Sequence, residues 1–573
     1  MKNLKYETLV TPYVKTFDKK NPLPEYPRPQ LKRDSFFSLN GEWDFEAGEF
    51  SSKITVPYAP ESLLSGVEKT FSDNDVLVYK KLFSIPDGFK KDRIILHFGA
   101  VDQIAKVFLN GSSLGTHEGG YHPFSFDITD FLCDTENELR VEVTDRLDGI
   151  FPYGKQKRKR GGMWYTPVSG IWQTVWLEST PPGAICDLKI TANMTSVKIE
   201  CKTDLFPVKL ILNDSGKDYE SFDGKFEISP ENPELWSPEN PHLYYFTLEN
   251  ENDKIESYFA LREIGTADFG GVPRLTLNGK PYLFNGLLDQ GYFPDGIFTP
   301  ASYEAYKDDI MLAKSLGFNM LRKHIKIELL IFYHLCDLLG IVVFQDIVNN
   351  SDYSFMRDTA LPTIGIKKRS DKKLHKNPVS REKFISGMKE TQRLLYNSPS
   401  VLYYTIFNEG WGQFTADENY RLAKSFDETR IYDATSGWFI QSESDVDSHH
   451  IYFKKAKIKD FSSRPVVLSE FGGYSFRPDG HLFGSANYGY SVYKTNEEFE
   501  NAVRRLYEKE IFPLAEKGIS ALVYTQISDI EDETNGFISY DRKFLKVDEG
   551  KMRSLMLELY EISNSEKNDT VTE

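Results

Sequence analysis

Two glutamates each follow a run of apolar residues. Tyr403-Tyr404-Thr405-Ile406-Phe407 leads into Asn408-Glu409-Gly410-Trp411, and Val466-Val467-Leu468 leads into Ser469-Glu470-Phe471-Gly472-Gly473. Short β-branched and aromatic runs of this kind read as buried strands, so each glutamate would be delivered at a strand's C-terminal edge. One such carboxylate is as well explained by a structural ion pair as by catalysis. Two facing one pocket suit glycoside hydrolysis, in which one carboxylic acid protonates the leaving oxygen and one carboxylate attacks the anomeric carbon. The acid must have its pKa raised by burial and a negative neighbour, and the attacking carboxylate must stay ionised beside donors or a cation. Arg322 and His324, ending Phe318-Asn319-Met320-Leu321-Arg322-Lys323-His324, are candidate supports. Asn408 can donate an amide N–H to the hydroxyl next to the reacting carbon.

Other apolar runs also end in polar residues. Phe284-Asn285-Gly286-Leu287-Leu288 ends at Asp289, which could grip sugar hydroxyls, since a carboxylate accepts two hydrogen bonds well, or be a solvated loop acid. Asp346 ends Ile341-Val342-Val343-Phe344-Gln345, and Trp438 after Ser436-Gly437 could be a platform for a sugar ring or a core residue. His450 and Tyr452 lie in Ser448-His449-His450-Ile451-Tyr452, and Gln526 and Asp529 close the run 519–525. These residues need strands whose C-terminal ends converge. Helical patterns at 303–317, 329–340 and 382–397 alternate with the apolar runs. That alternation predicts parallel βα units, and residues 271–562 suffice for a C-terminal (β/α)8 TIM barrel with its active site at the strand C-termini.

Upstream the rhythm differs. Residues 1–181 hold short β-prone runs between turn signals such as Asn110-Gly111, with no long amphipathic helix, which predicts an N-terminal jelly-roll β-sandwich. Residues 182–270 match one immunoglobulin-like β-sandwich in size, and 563–573 read as a disordered tail. In a chain of 573 residues, 69 Lys and Arg against 85 Asp and Glu give a formal charge of −16, which argues against nucleic acid and membrane as partners. Four cysteines without a CxxC pair point to neither a disulfide framework nor a zinc site. No signal-peptide-like apolar stretch opens the sequence, so the expected location is cytoplasmic, and a homo-oligomer stays open.

Six stretches together resemble glycoside hydrolase family 2. Ser38-Leu39-Asn40-Gly41-Glu42-Trp43 is similar to the opening strand of that family's sugar-binding jelly roll, and Gly119-Gly120-Tyr121-His122-Pro123-Phe124 to its glycine-aromatic turn. Gly170-Ile171-Trp172-Gln173-Thr174-Val175-Trp176-Leu177-Glu178 resembles the strand that closes it. Asn319-Met320-Leu321-Arg322-Lys323-His324 resembles the second barrel strand, Asn408-Glu409 the acid/base position of the fourth, and Ser469-Glu470-Phe471-Gly472 the nucleophile position of the seventh. The resemblance implies a retaining exo-β-glycosidase. Glu470 would form a covalent glycosyl-enzyme, Glu409 would protonate the leaving group and later deprotonate water, and about 5–5.5 Å would separate the carboxyls. It also implies that the Tyr452 hydroxyl restrains the nucleophile; the reaction calls for no cofactor, and no metal ligands are assigned.

A glycoside or oligosaccharide is then the partner. Asp532-Glu533-Thr534-Asn535-Gly536-Phe537-Ile538 lacks the Asn-x-Lys with which the family's β-glucuronidases bind the sugar carboxylate. Phe284–Asp289 and the three residues after it lack the Asn-x-His-Glu of well-known β-galactosidases. The preferred reading is β-galactosidase-like. The alternatives are β-glucuronidase or β-galacturonidase with a different carboxylate clamp, β-mannosidase or arabinosidase and, from another class, a non-catalytic carbohydrate-binding protein. Two charged stretches remain. Lys155-Gln156-Lys157-Arg158-Lys159-Arg160 reads as a solvated loop, or as one reaching over the barrel mouth and favouring acidic substrates. Asp529, Glu531, Asp532 and Glu533 read as a hydrated acidic loop, with a cation site as the alternative.

Overall fold

In the first unit, strands alternate sides residue by residue. Along Gly41–Ala47 the side chains of Trp43, Phe45 and Ala47 are buried while Glu42 and Asp44 face water, the pattern of a sheet with one wet face. The computed structural model describes residues 9–366 and 370–565. Phe50–Val56, Gly41–Ala47, Leu77–Phe83, Asn137–Thr144, Ile104–Leu109 and Ser112–Glu118 form, in that spatial order, a six-stranded antiparallel sheet. A four-stranded sheet of Phe37–Ser38, Val175–Thr180, Arg93–Phe98 and Phe124–Asp127 shares one apolar core with it, which includes Trp43, Phe98, Val141 and Leu177.

The next unit is smaller. Asp187–Ala192, Val197–Lys202 and Lys225–Ile228 make one sheet, and Asp218–Ser221, Val208–Leu212, Tyr244–Glu249 and Lys254–Phe259 make the other. Ile199, Leu210, Phe246 and Phe259 fill the space between them. A hairpin of Ile264–Phe269 and Val272–Leu277 follows, and its Leu275 and Leu277, with Trp236, pack against Phe284, Met320 and Val342.

Those last three residues belong to the barrel. Its strands are β1 (Phe284–Asp289), β2 (Met320–Lys323), β3 (Val342–Asp346), β4 (Val401–Asn408), β5 (Ile431–Ser436), β6 (Asp447–Ile451), β7 (Val466–Gly472) and β8 (Ala521–Thr525). All pairings are parallel, in the order β5-β4-β3-β2-β1-β8-β7-β6. The ring closes by hydrogen bonds everywhere except between β5 and β6. Helices α1 (Glu304–Ser315), α2 (Leu330–Leu339), α3 (Pro378–Leu395), α4 (Ala416–Phe426), α5 (Asn496–Leu506) and α6 (Glu549–Asn564) lie outside it. The segments after β5 and β6 carry no helix, so the barrel is (β/α)8 in its strands and less regular in its outer layer. Helix α6 runs to Asn564, past the start expected for the tail, and residues 566–573 lie outside the described residues. Among the described residues, no helix is long and apolar enough to cross a membrane.

The jelly roll reaches the barrel mouth through the segment after Thr144. Tyr153 donates its backbone N–H to Asn349 (3.0 Å) and its hydroxyl to the Ser351 carbonyl (2.8 Å). Arg160 meets Glu531 and Asp532, each at 3.5 Å, and the Thr166 N–H donates to Glu531 (2.9 Å). The basic stretch is only partly solvated, and its first residue reaches the barrel mouth: Lys155 and Gln156 are buried and Arg158 donates to Asp73 and two backbone carbonyls, while Lys157, Lys159 and Arg160 stay exposed. The acidic stretch is not hydrated, since Asp529, Glu531, Asp532 and Glu533 are all buried and Asp529 accepts from Lys546 at 2.6 Å. Arg160 and the Thr166 N–H bring charge and a donor to the acidic stretch, which helps it to leave water.

A buried ion cluster anchors the jelly roll beside the second sandwich. Glu178 accepts from Arg28 at 2.5 Å, with Arg33 at 3.6 Å, and is 1% exposed. Burial alone would raise its carboxyl pKa, but the Arg28 guanidinium outweighs that and holds it at about 2. A depressed folded pKa gives stability that is present above the unfolded value and lost as pH falls through the folded one. Glu178→Gln should accordingly lower the melting temperature at pH 7, with a loss of about 3 kcal/mol from the uncompensated arginines, and the gap to wild type should shrink toward pH 2. Calorimetry across that range checks it; an unchanged melt at pH 7 would contradict it.

Candidate active site

Strand β4 ends in a sharp turn. Glu409 has φ +52° and Gly410 φ +75°. A side chain at 410 would meet the Phe439 ring at 2.2 Å, so glycine alone lets the turn close here. The left-handed backbone at Glu409 is strained for a glutamate and is held from several sides. Its N–H donates to the Ser436 carbonyl (2.9 Å), its carbonyl accepts from the Trp438 indole (2.8 Å), and its Oε1 lies 2.9 Å from Nδ1 of His450.

Glu470 stands on β7, where the β6–β7 and β7–β8 registers shift. Such irregularities re-aim a side chain. The Tyr452 hydroxyl donates to Glu470 Oε2 (2.5 Å), and Arg322 Nη1 donates to Oε1 (3.1 Å). His450 Nδ1 is also 3.5 Å from Glu470 Oε2. One oxygen of each glutamate and one nitrogen of His450 all lie within 4.8 Å of one another. The trio has the donor types for a metal ion, but the Arg322 guanidinium already supplies the positive charge beside Glu470.

Arg322, on β2, organises the floor. It donates to Asp346 Oδ1 (2.9 Å), the Ser469 carbonyl (2.9 Å), Glu470 and Asn408 Oδ1 (2.8 Å). Burial opposes its charge, but Asp346 and Glu470 more than offset this and raise its pKa. Burial likewise pushes the Asp346 carboxyl up, and Arg322 brings it down to about 2. His324 Nδ1 lies 2.6 Å from Asp346 Oδ2, and burial holds the imidazole at about 3, so the ring is neutral. Nδ1 then donates to Asp346, leaving Nε2 as an acceptor.

Of the residues singled out from sequence, Glu409, Glu470, Asn408, His324 and Tyr452 line one pocket. Arg322 and His450 stand directly behind it. Four others do not line it. Asp289 is neither a sugar grip nor a solvated acid: it is buried and accepts from Lys323 (2.6 Å) and the Gly291 N–H (2.9 Å). Asp346 is consumed by Arg322 and His324, and Trp438 holds the Glu409 carbonyl rather than presenting a platform. Gln526 is wholly buried, donating to Glu533 (2.9 Å) and Asn535 (2.7 Å) and accepting from Gln290 (2.7 Å). Residues not foreseen complete the wall: Gln290, Trp411, Tyr490 and Glu533 from the barrel, and Lys155 and Met163 from the jelly-roll segment. Trp411 follows Glu409 by two positions, and Lys155 and Glu533 belong to the two charged stretches.

Comparison with known proteins follows the same three parts. The model described as "Glycosyl hydrolases family 2, sugar binding domain" matches residues 53–181, "Glycosyl hydrolases family 2" matches 176–262, and "Glycosyl hydrolases family 2, TIM barrel domain" matches 273–473. The chain is 26% identical over 331 residues to a β-galactosidase of Thermoanaerobacter pseudethanolicus, covering 53% of this chain and 44% of that protein. It is 22% identical over 514 residues to a β-glucuronidase of Streptococcus agalactiae, covering 77% and 83%. It spans only 40% of a second β-galactosidase relative, from Halalkalibacterium halodurans, at 25% identity over 70% of this chain. The fold is shared with a β-D-glucuronidase of Dictyoglomus thermophilum (TM-score 0.72, 18% identity, 93% of this chain and 98% of that one). It is shared too with a β-galacturonidase of Eisenbergiella tayi (TM-score 0.68, 19% identity, 93% and 99%). Matched in order through both sandwiches and the first seven barrel strands, the chain belongs to glycosyl hydrolase family 2.

Proposed function

We propose that this chain is a retaining exo-β-glycosidase, with Glu470 as nucleophile and Glu409 as acid/base. The observation that carries the reading is the approach of the two carboxylates, with oxygens within 4.8 Å of each other over one small pocket. Retaining enzymes keep their carboxyls about 5–5.5 Å apart, whereas inverting enzymes leave about 6.5–9.5 Å for a water. Both carboxylates also carry the supports their roles require. Glu470 has a guanidinium and a phenol as donors, which suits an ionised nucleophile. Glu409 has the His450 ring, which fixes its direction.

The chemistry then follows in two displacements. Glu470 attacks the anomeric carbon while Glu409 gives its proton to the departing oxygen. Glu409 next takes a proton from water, which attacks the same carbon and releases Glu470. Asn408, its carbonyl oxygen engaged by Arg322, has its NH₂ left to donate to the adjacent sugar hydroxyl, and neutral His324 offers Nε2 to another. For the sugar, β-galactosidase-like is the first reading, and a β-glucuronidase or β-galacturonidase with a different carboxylate clamp is the second. Where the family's β-glucuronidases carry the lysine of Asn-x-Lys, this chain has Phe537, wholly buried in the core.

Glu470→Gln should reduce turnover of every aryl β-glycoside by ~10⁴-fold or more. A 2-deoxy-2-fluoro aryl glycoside should leave a covalent adduct on Glu470, read by peptide mass spectrometry; an active variant or an adduct elsewhere would overturn the assignment. Glu409→Ala should keep much of its rate on dinitrophenyl glycosides and be rescued by azide as the β-glycosyl azide. An α-azide product would mean inversion or exchanged roles. His450→Ala should lower kcat by about 10–100-fold on substrates with poor leaving groups through misdirection of Glu409, and less on dinitrophenyl glycosides. Equal losses on both would mark His450 as a structural residue only.

A further inference from the structure

The described residues include four buried lysines. Lys323, Lys326 and Lys546 each hold a carboxylate at 2.6–3.0 Å. Lys155 is the exception. It is 8% exposed and lines the same pocket as Glu409 and Glu470, yet no ion pair or side-chain hydrogen bond engages its ammonium group among the described residues. Its Nζ lies over the rings of Trp411 (5.5 Å) and Tyr165 (5.9 Å). Ring faces attract a cation but accept no conventional N–H bond, so its donors remain available.

Each of the pocket's carboxylates has donors other than Lys155. Glu470 is engaged by Arg322 and Tyr452, and Glu409 by His450. Glu533 accepts from Tyr165 (2.7 Å), Gln526 (2.9 Å) and Gln290 (3.2 Å). A second donor shares the situation: the Trp411 indole N–H is buried without an acceptor, and Trp411 lines the same pocket. Lys155 is also fixed in place. Its carbonyl accepts from the Tyr165 N–H (3.0 Å), and the next side chain, Gln156, donates to Asp102 (3.1 Å) while accepting from the Val168 N–H (2.5 Å). A preorganised, largely buried lysine with free donors is a binding point for an anion.

We propose that Lys155, assisted by the Trp411 N–H, is a specificity-determining residue that recognises a carboxylate or sulfate on the sugar held at the Glu409–Glu470 pair. The inference rests on the glycosidase reading of that pair and adds the charge of its substrate. The recognising charge comes from the jelly-roll segment.

Titration calorimetry with D-galacturonate, D-glucuronate and D-galactose 6-sulfate, each against D-galactose or D-glucose, tests it without turnover. Wild type should bind at least one charged sugar about 10–100-fold more tightly than its neutral parent. The carboxylate and sulfate arms tell the two sources apart. Lys155→Met should abolish the preference, and Lys155→Arg should keep most of it. With p-nitrophenyl β-glycosides, the kcat/KM ratio of charged to neutral substrate should fall by a similar factor in Lys155→Met, whatever the absolute rates. Equal affinity for charged and neutral sugars in wild type, or a preference that survives Lys155→Met, overturns the proposal. A charge preference in binding without turnover of any aryl glycoside would support Lys155 and count against the two-carboxylate reading alone.

Discussion

The guanidinium of Arg322, 1% exposed, donates to acceptors on three strands: Asp346 on β3, Asn408 on β4, and both the Ser469 carbonyl and the Glu470 carboxylate on β7. β3 and β4 follow one another on one side of β2, and β7 lies three strands away on the other, beyond β1 and β8, so the contacts cross the barrel's interior. Its planar array of donors can satisfy several acceptors without reorienting, which a lysine could not do. The arrangement is costly to assemble and more costly to break, because a buried carboxylate deprived of its cation has nothing to replace water. Asp346 illustrates the balance: burial works against its charge, and the arginine wins. Through Asp346 the same cation also sets the tautomer of His324.

Around this floor, the jelly roll is part of the pocket. Lys155 and Met163 line it, Trp164 stacks on Trp411 at 5.5 Å, and the Tyr165 hydroxyl reaches Glu533. The barrel provides the reacting pair and the sandwich provides part of the wall. A barrel excised from this chain would lose a buried aromatic contact and a cation. The insertion is stabilised by charge: a basic stretch on one unit meets an acidic stretch on another and helps the acidic one to leave water.

What could be read from sequence was whatever local pattern dictates. Apolar runs ending in Asn408-Glu409 and Ser469-Glu470 mark strand ends, and a strand end in a parallel barrel has one place to go. The alternation that marks the six-stranded sheet is equally local. Asp289 was misread because its partner, Lys323, lies on the next strand, 34 residues away, and nothing near 289 announces an ion pair. For Trp438 the sequence leaves platform and core residue equally open, and the choice rests on an indole N–H bond to a carbonyl 29 residues away. The acidic stretch reads as wet when taken alone, while its burial depends on contacts spanning more than 360 residues, and the basic stretch admits both a solvated reading and one over the barrel mouth until that contact decides. Charge at a distance in sequence is invisible until packing brings the partner.

The missing ladder between β5 and β6 bears on the reacting pair itself. No backbone hydrogen bonds join these strands, but side chains do: Ser448 donates to Asp433 (2.9 Å), and His450 Nε2 lies 3.0 Å from Ser436 Oγ. His450 is thus both the bridge across the seam and the contact to Glu409 and Glu470. The two carboxylates are otherwise held by separate halves of the barrel. Glu409 is fixed from the β5 side by Ser436 and Trp438, and Glu470 from β2 and the residue after β6 by Arg322 and Tyr452. His450, from β6, places Nε2 on Ser436 of β5 and Nδ1 against both glutamates, and so couples the closure of the seam to the geometry of the pair. A regular backbone ladder here would align β5 and β6 but would place no titratable ring between the two glutamates.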